Sequence, residues 1–149
     1  MRPRLPLLFL LCCAAIFAGS ALWLAPQLPE RAASHFGIDG RADGWMSRRE
    51  MTVFLFGFGM GISAFIVSLF SLLCFLPSAL LNVPRPDYWR SPEHYPEACR
   101  ILRRWSYALA GWHLLWSAVF NYQIVAANRL HPPHLAALGI SGRFPKMAA

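Results

Sequence analysis

With 149 residues, 56% of them hydrophobic and 14% charged, the chain has no room for a soluble domain with its own core once its long apolar stretches are counted. A net charge of +7 does not point to nucleic acid, because the basic residues are scattered over separate polar segments and no run exceeds Arg48-Arg49 or Arg103-Arg104. Cys12, Cys13, Cys74 and Cys99 show no metal-ligand spacing and three of them fall in apolar stretches, so no disulfide framework, metal site or cofactor is expected.

Leu5 to Pro26, Met51 to Val83 and Trp105 to Asn128 are uncharged and apolar. Each can cross a hydrocarbon core about 30 Å thick at about 1.5 Å per helical residue. The prediction is an all-α, polytopic membrane protein with three transmembrane helices at about residues 5–26, 51–81 and 105–128. It forms one membrane domain over residues 1–149, with the lipid bilayer as its surroundings.

The first span opens with Arg2 and Arg4 and passes Ala18-Gly19-Ser20, which imitates a signal-peptide cleavage site. Its apolar run continues through Trp23 and Leu24, beyond the about 7 to 15 residues of a signal h-region, so a retained signal anchor is expected. Residues 27–50 then read as a shaped loop: Asp39-Gly40 and Asp43-Gly44 are turn dipeptides, Gly37 permits close backbone approach, and Trp45 suits a membrane surface. The same dipeptides would also serve a small hairpin. His35, Asp39, Asp43 and Trp45 are the candidate ligand-binding residues of this loop. Against a site, the aspartates can cap their own turns and His35 can bond a backbone carbonyl. A metal held by His35, Asp39 and Asp43 is disfavoured, since the glycines oppose a helix that would align them.

In the second span Gly57, Gly61, Ala64, Ser68 and Ser71 recur on one helix face, so Gly57 and Gly61 are assigned to helix packing, within the protomer or in a homo-oligomer. Residues 82–104 cannot continue that helix, because Pro84 and Pro86 remove donors and extend their predecessors. With Tyr88, Trp89 and Tyr95 they read as an interfacial loop leading through a short helix from Pro96 into the third span. That span carries an intramembrane polar face of His113, Ser117, Asn121 and Asn128, opposite Trp105, Trp112 and Trp116. His113 lies roughly 12 Å inside, where a neutral ring needs a partner such as a serine of the second span. Pro132 and Pro133 end the helix, and the tail at 129–149 is too short in apolar length to cross again.

Basic residues divide evenly between the two sides, seven to seven. Arg2 and Arg4 at the first span then decide for a cytoplasmic N-terminus, an outer loop at 27–50 and an outward tail.

Leu28-Pro29 through His35-Phe36-Gly37, Gly40 and Asp43-Gly44-Trp45 together resemble the signature of a bacterial membrane domain of unknown function, which also forms the N-terminal part of SdpI-type bacteriocin immunity proteins. Asn82-Val83-Pro84, Asp87-Tyr88-Trp89, Pro92-Glu93 and Ala127-Asn128 before Pro132-Pro133 extend the resemblance over most of the chain. It implies a helical multi-pass protein of the bacterial cytoplasmic membrane and brings no activity with it. The resemblance implies a fourth span after the third, so this chain is expected to be a shortened version or to take a further helix from a membrane partner.

The expected function is that of a non-enzymatic membrane protein that binds or senses a ligand or toxin at its outer loop. The alternative is an accessory or structural subunit of a membrane complex. An enzyme or proton-coupled carrier built on His113 and Asn121 ranks last, because one ionisable group in three spans is too little machinery.

Overall fold

The computed structural model describes residues 4–133. Residues 1–3 and 134–149 lie outside the described residues, and with them Arg2, Arg143, Lys146 and most of the expected tail. The chain runs α1 (Leu5–Leu24), β1 (Arg31–Phe36), β2 (Ala42–Ser47), α2 (Arg48–Leu73), α3 (Pro86–Trp89) and α4 (Tyr95–Asn128), with 3-10 turns at Ala25–Gln27 and Ser78–Leu80. It is mainly helical, and the loop between the first two long helices is a two-stranded antiparallel hairpin.

Local chemistry sets the helix boundaries. α1 opens with Pro6 in its first turn, where a missing N–H costs nothing, and its 20 residues span about 30 Å. α2 starts earlier than the apolar run suggests, because Ser47 and Glu50 form a capping box: the Ser47 hydroxyl accepts from the Glu50 N–H, and the Glu50 carboxylate accepts from the Ser47 N–H at 2.9 Å. The expected second span to residue 81 is corrected at its far end. α2 stops at Leu73, since Pro77 has no N–H to donate and disfavours helix in the residue before it, and a 3-10 turn follows. The chain then bends through Pro84-Arg85-Pro86, where Arg85 takes a left-handed conformation, and α4 begins with Pro96 and Glu97 in its first turn. Arg90 donates to the Leu81 carbonyl and the Tyr95 hydroxyl to that of Leu76, tying this connection to the end of α2.

α4 is the central helix, packed along both α1 and α2. Its 34 residues extend about 51 Å, so it reaches from the α3 end of the bundle to the hairpin. Two glycines allow the closest approaches. A Cβ on Gly111 would lie 2.6 Å from the Phe9 ring, and one on Gly59 would overlap the ring of Phe17, which is fully buried. By contrast, a Cβ on Gly57 or Gly61 would meet nothing within 4 Å, so the face assigned to helix packing points away from this bundle. The core divides into one cluster around Cys13, Phe17 and Leu114, and a second under the hairpin that joins Leu24, Leu28, Ala32, Met51, Leu55, Ile124 and Val125.

α1 and α2 are both long and apolar enough to cross a membrane, and only 17% of each apolar window is buried. A core helix of a water-soluble protein would hide most of such a surface, whereas here Leu8, Leu11, Ile16, Val53, Phe65 and Leu72 all face outward. The more polar α4 falls short of the same apolarity.

The glycine geometry predicts that Gly59→Ala lowers thermal stability in detergent micelles, because the buried Phe17 ring cannot move aside, at a cost of about 1–3 kcal/mol. Gly57→Ala and Gly61→Ala should leave the melting temperature of the isolated protomer unchanged.

Candidate functional site

The hairpin is built by its glycines and two irregularities. Gly44 stands opposite His35, where a Cβ would come within 2.8 Å of the His35 Cβ, so the strands can approach only with glycine there. Ala33 pairs with Trp45, His35 with Gly44 and Phe36 with Ala42, which leaves Ser34 and Asp43 as extra residues, one in each strand. The displaced Asp43 meets His35, and the His35 Nδ1 and Asp43 Oδ1 atoms form a hydrogen bond. Both side chains remain largely exposed, at 73% and 55%. The pair is therefore open to anything that approaches from water.

The turn orients the third candidate differently. The Gly40 N–H donates to the Gly37 carbonyl at 2.9 Å, Gly40 has φ 80°, and the Asp39 carboxylate accepts from the Arg41 N–H at 3.1 Å. Asp39 thus caps its own turn and pairs with Arg41, while its carboxylate and that of Asp43 flank the open side of Gly37. No group of three or more His, Cys, Asp and Glu side chains suited to a metal ion occurs among the described residues. Trp45 projects from the same hairpin with the Arg31 guanidinium 5.7 Å from its ring centre. His35, Asp43 and Trp45 are thus carried on one small rigid unit, with Asp39 at its tip.

What holds that unit in place is Asn128, the last residue of α4. Its Oδ1 accepts from the Ala33 N–H at 2.6 Å, and its Nδ2 donates to the Ala33 carbonyl at 3.0 Å and to the Ile124 carbonyl at 2.9 Å. The amide acts as a stand-in for a third strand, satisfying both backbone groups of a fully buried residue on the outer edge of β1. At the base of the hairpin, Arg48 donates from its backbone to the Glu30 carbonyl, from Nε to the Leu28 carbonyl and from Nη2 to the Glu30 carboxylate. Gln27 and Arg129 join side chains beside it. Ala32 and Met46 point down into the cluster formed by Leu24, Met51 and Val125.

The polar face of α4 does not form one continuous site. His113 bonds Ser63 of α2 through Nδ1 at 2.9 Å, and Ser63 also donates to the Ala110 carbonyl. Ser117 lies one turn on, 3.5 Å from Nε2. These contacts join α2 to α4 by the serine partner that the position of His113 calls for. Asn121 lies apart from them, buried at a small cavity that Thr52, Leu55 and Val125 also line. Asn128 belongs with the hairpin. Sequence periodicity placed it on the intramembrane face and missed its docking role, because a contact 95 residues away in the chain leaves no local signal.

Residues 7–61 match the family described as Domain of unknown function (DUF1648). The match covers α1 almost entirely, the whole hairpin and the first half of α2, so the part of the chain that resembles a family is the part that carries His35, Asp39, Asp43 and Trp45. No curated protein and no solved structure matches the chain.

Two substitutions separate docking from chemistry. Asn128→Ala leaves the Ala33 N–H and carbonyl without partners in a buried position and should cost about 2–4 kcal/mol, read as a lower melting temperature and faster proteolysis of the hairpin. The exposed pair tolerates far more: His35→Ala or Asp43→Ala should shift stability by less than about 1 kcal/mol in the same assays.

Proposed function

We propose that the chain is a three-span, non-enzymatic protein of the bacterial cytoplasmic membrane, with its N-terminus inside, whose hairpin is an outward recognition face for a ligand or peptide toxin. The observation that carries this reading is the hydrogen bonding of Asn128 to Ala33. It brings the end of α4 to the same end of the bundle as the hairpin between α1 and α2, while the start of α4 lies beside the end of α2. A helix packed end to end along two membrane-crossing helices occupies the same depth of bilayer. The lower apolarity of α4 is accounted for by polar groups that face its neighbours, as with His113 on Ser63. Recognition is assigned to the hairpin because its polar side chains face solvent on a docked backbone, and preorganised groups of that kind bind at low entropic cost.

A second reading, an accessory subunit, is favoured by one observation: Gly57, Gly61, Ala64 and Ser68 form an exposed face of small residues on α2 that packs against nothing in this bundle. Crosslinking in native membranes that yields a second chain through this face would support it.

The primary test is membrane-impermeant maleimide labelling of single cysteines at positions 39, 93 and 129 in a variant lacking the native four. Three spans with the N-terminus inside require positions 39 and 129 to label in intact cells and position 93 only after permeabilisation. Labelling of position 129 together with position 93 would reduce the protein to two spans. For recognition, cells producing the chain should survive a panel of membrane-active bacterial peptides better than cells without it. His35→Ala with Asp43→Ala should remove that advantage at unchanged membrane abundance, and equal protection by the double variant would overturn the site.

A further inference from the structure

The two ends of the bundle treat their arginines differently. At the hairpin end, Arg31 lies over Trp45, Arg41 pairs with Asp39, Arg48 with Glu30 and Arg129 with Gln27, and Arg49 alone of the five has no such partner among the described residues. At the other end, Arg85 lies over Tyr88 and Arg90 bonds the Leu81 carbonyl, but Arg4, Arg100, Arg103 and Arg104 have no ion-pair or side-chain hydrogen-bond partner among the described residues. The acids of that end, Asp87, Glu93 and Glu97, are exposed and do not reach them.

One of the four borders a cavity. An open groove between the start of α1 and the second to fourth turns of α4 is lined by Pro6, Ile101, Arg104, Trp105 and Ala108. Its walls are apolar, its one charged group is the Arg104 guanidinium, and the 68%-exposed Trp105 indole stands at its side. Arg104 is the last charged residue before the uncharged stretch that ends at Asn128, so it sits where a third span would meet the headgroups. An apolar trough with a cation at its rim and a tryptophan beside it suits a molecule with a hydrocarbon chain, an anionic head and a place at the membrane surface. A small soluble anion would leave the apolar walls unused. A peptide would bring donors and acceptors that Pro6, Ile101 and Ala108 side chains cannot satisfy.

We infer that this groove is a binding site for one anionic phospholipid, with the phosphate on Arg104 and an acyl chain laid along Pro6, Ile101, Trp105 and Ala108. The free guanidinium groups of Arg4, Arg100 and Arg103 favour the same headgroup charge. The inference rests on α4 crossing the bilayer.

Native mass spectrometry of the full chain released from detergent micelles tests it, with dioleoylphosphatidylglycerol, dioleoylphosphatidylcholine and inorganic phosphate as probes. The expected result is retention of one phosphatidylglycerol in clear preference to phosphatidylcholine. Arg104→Ala should weaken that retention about fivefold, the effect of one basic side chain at a lipid surface. Arg49→Ala, an exposed arginine at the hairpin end, should leave it unchanged. Equal retention of the two lipids by the unmodified chain, or phosphatidylglycerol retention unaffected by Arg104→Ala, would overturn the site. Displacement of the lipid by inorganic phosphate at equal concentration would overturn it too, by showing a simple anion site. Failure of the three-span reading shows in the labelling of position 129, whereas failure of the lipid site shows in lipid retention with that labelling intact.

Discussion

The hydrogen bonding between the Asn128 amide and the backbone of Ala33 is the contact on which the arrangement of this protein depends. A two-stranded hairpin is marginal on its own, and its outer edge presents an unpaired N–H and carbonyl that cannot be buried without partners. Asn128 supplies an acceptor and a donor to Ala33, and spends its second amide proton on its own helix at Ile124. A loop that would otherwise be free is thereby fixed to the end of α4. Since the hairpin joins α1 to α2, the same contact closes all three long helices into one unit.

Many of the bundle's large apolar side chains, among them Trp105, Trp112 and Trp116, face outward, while Ser63, Ser106, Ser117 and Asn121 are buried beside an apolar core that includes Phe17, Met51 and Leu114. Close packing at Gly59 and Gly111 and hydrogen bonds such as His113 with Ser63 join the helices, the kind of contact that holds helices together where hydrocarbon offers no hydrophobic gain. This explains why the central helix is also the most polar. Its exposed side is aromatic at Trp105, Trp112 and Trp116, and toward α1 and α2 it sets small and hydrogen-bonding residues beside the buried Leu114, Ile124 and Val125.

Charge follows the same division of labour. Around the hairpin each of Arg31, Arg41, Arg48 and Arg129 is engaged within the protein, which stiffens a polar cap and leaves His35 and Asp43 as the exposed polar pair. At the opposite end Arg85 and Arg90 are engaged, whereas Arg4, Arg100, Arg103 and Arg104 have no side-chain partner among the described residues, and Arg104 borders a groove with apolar walls.

The apolar runs were legible directly, because length and lack of charge are properties of the chain itself: residues 5–26 differ from α1 and its 3-10 turn by a single position at the end. The glycines and aspartates at 37–44 announced a shaped loop with hairpin turns, since the φ freedom of Gly40 and the capping by Asp39 are local. The start of α2 was also written locally, in Ser47 and Glu50, but the apolar boundary at Met51 obscured it. Tertiary structure alone decided the rest. The meeting of His35 with Asp43 depends on two bulges that shift the register, Gly59 rather than Gly57 and Gly61 became the packing glycine because Phe17 arrived from another helix, and Asn128 became a docking residue through a partner 95 positions away. Periodicity reports which residues share a face; only the packed helices determine what that face meets.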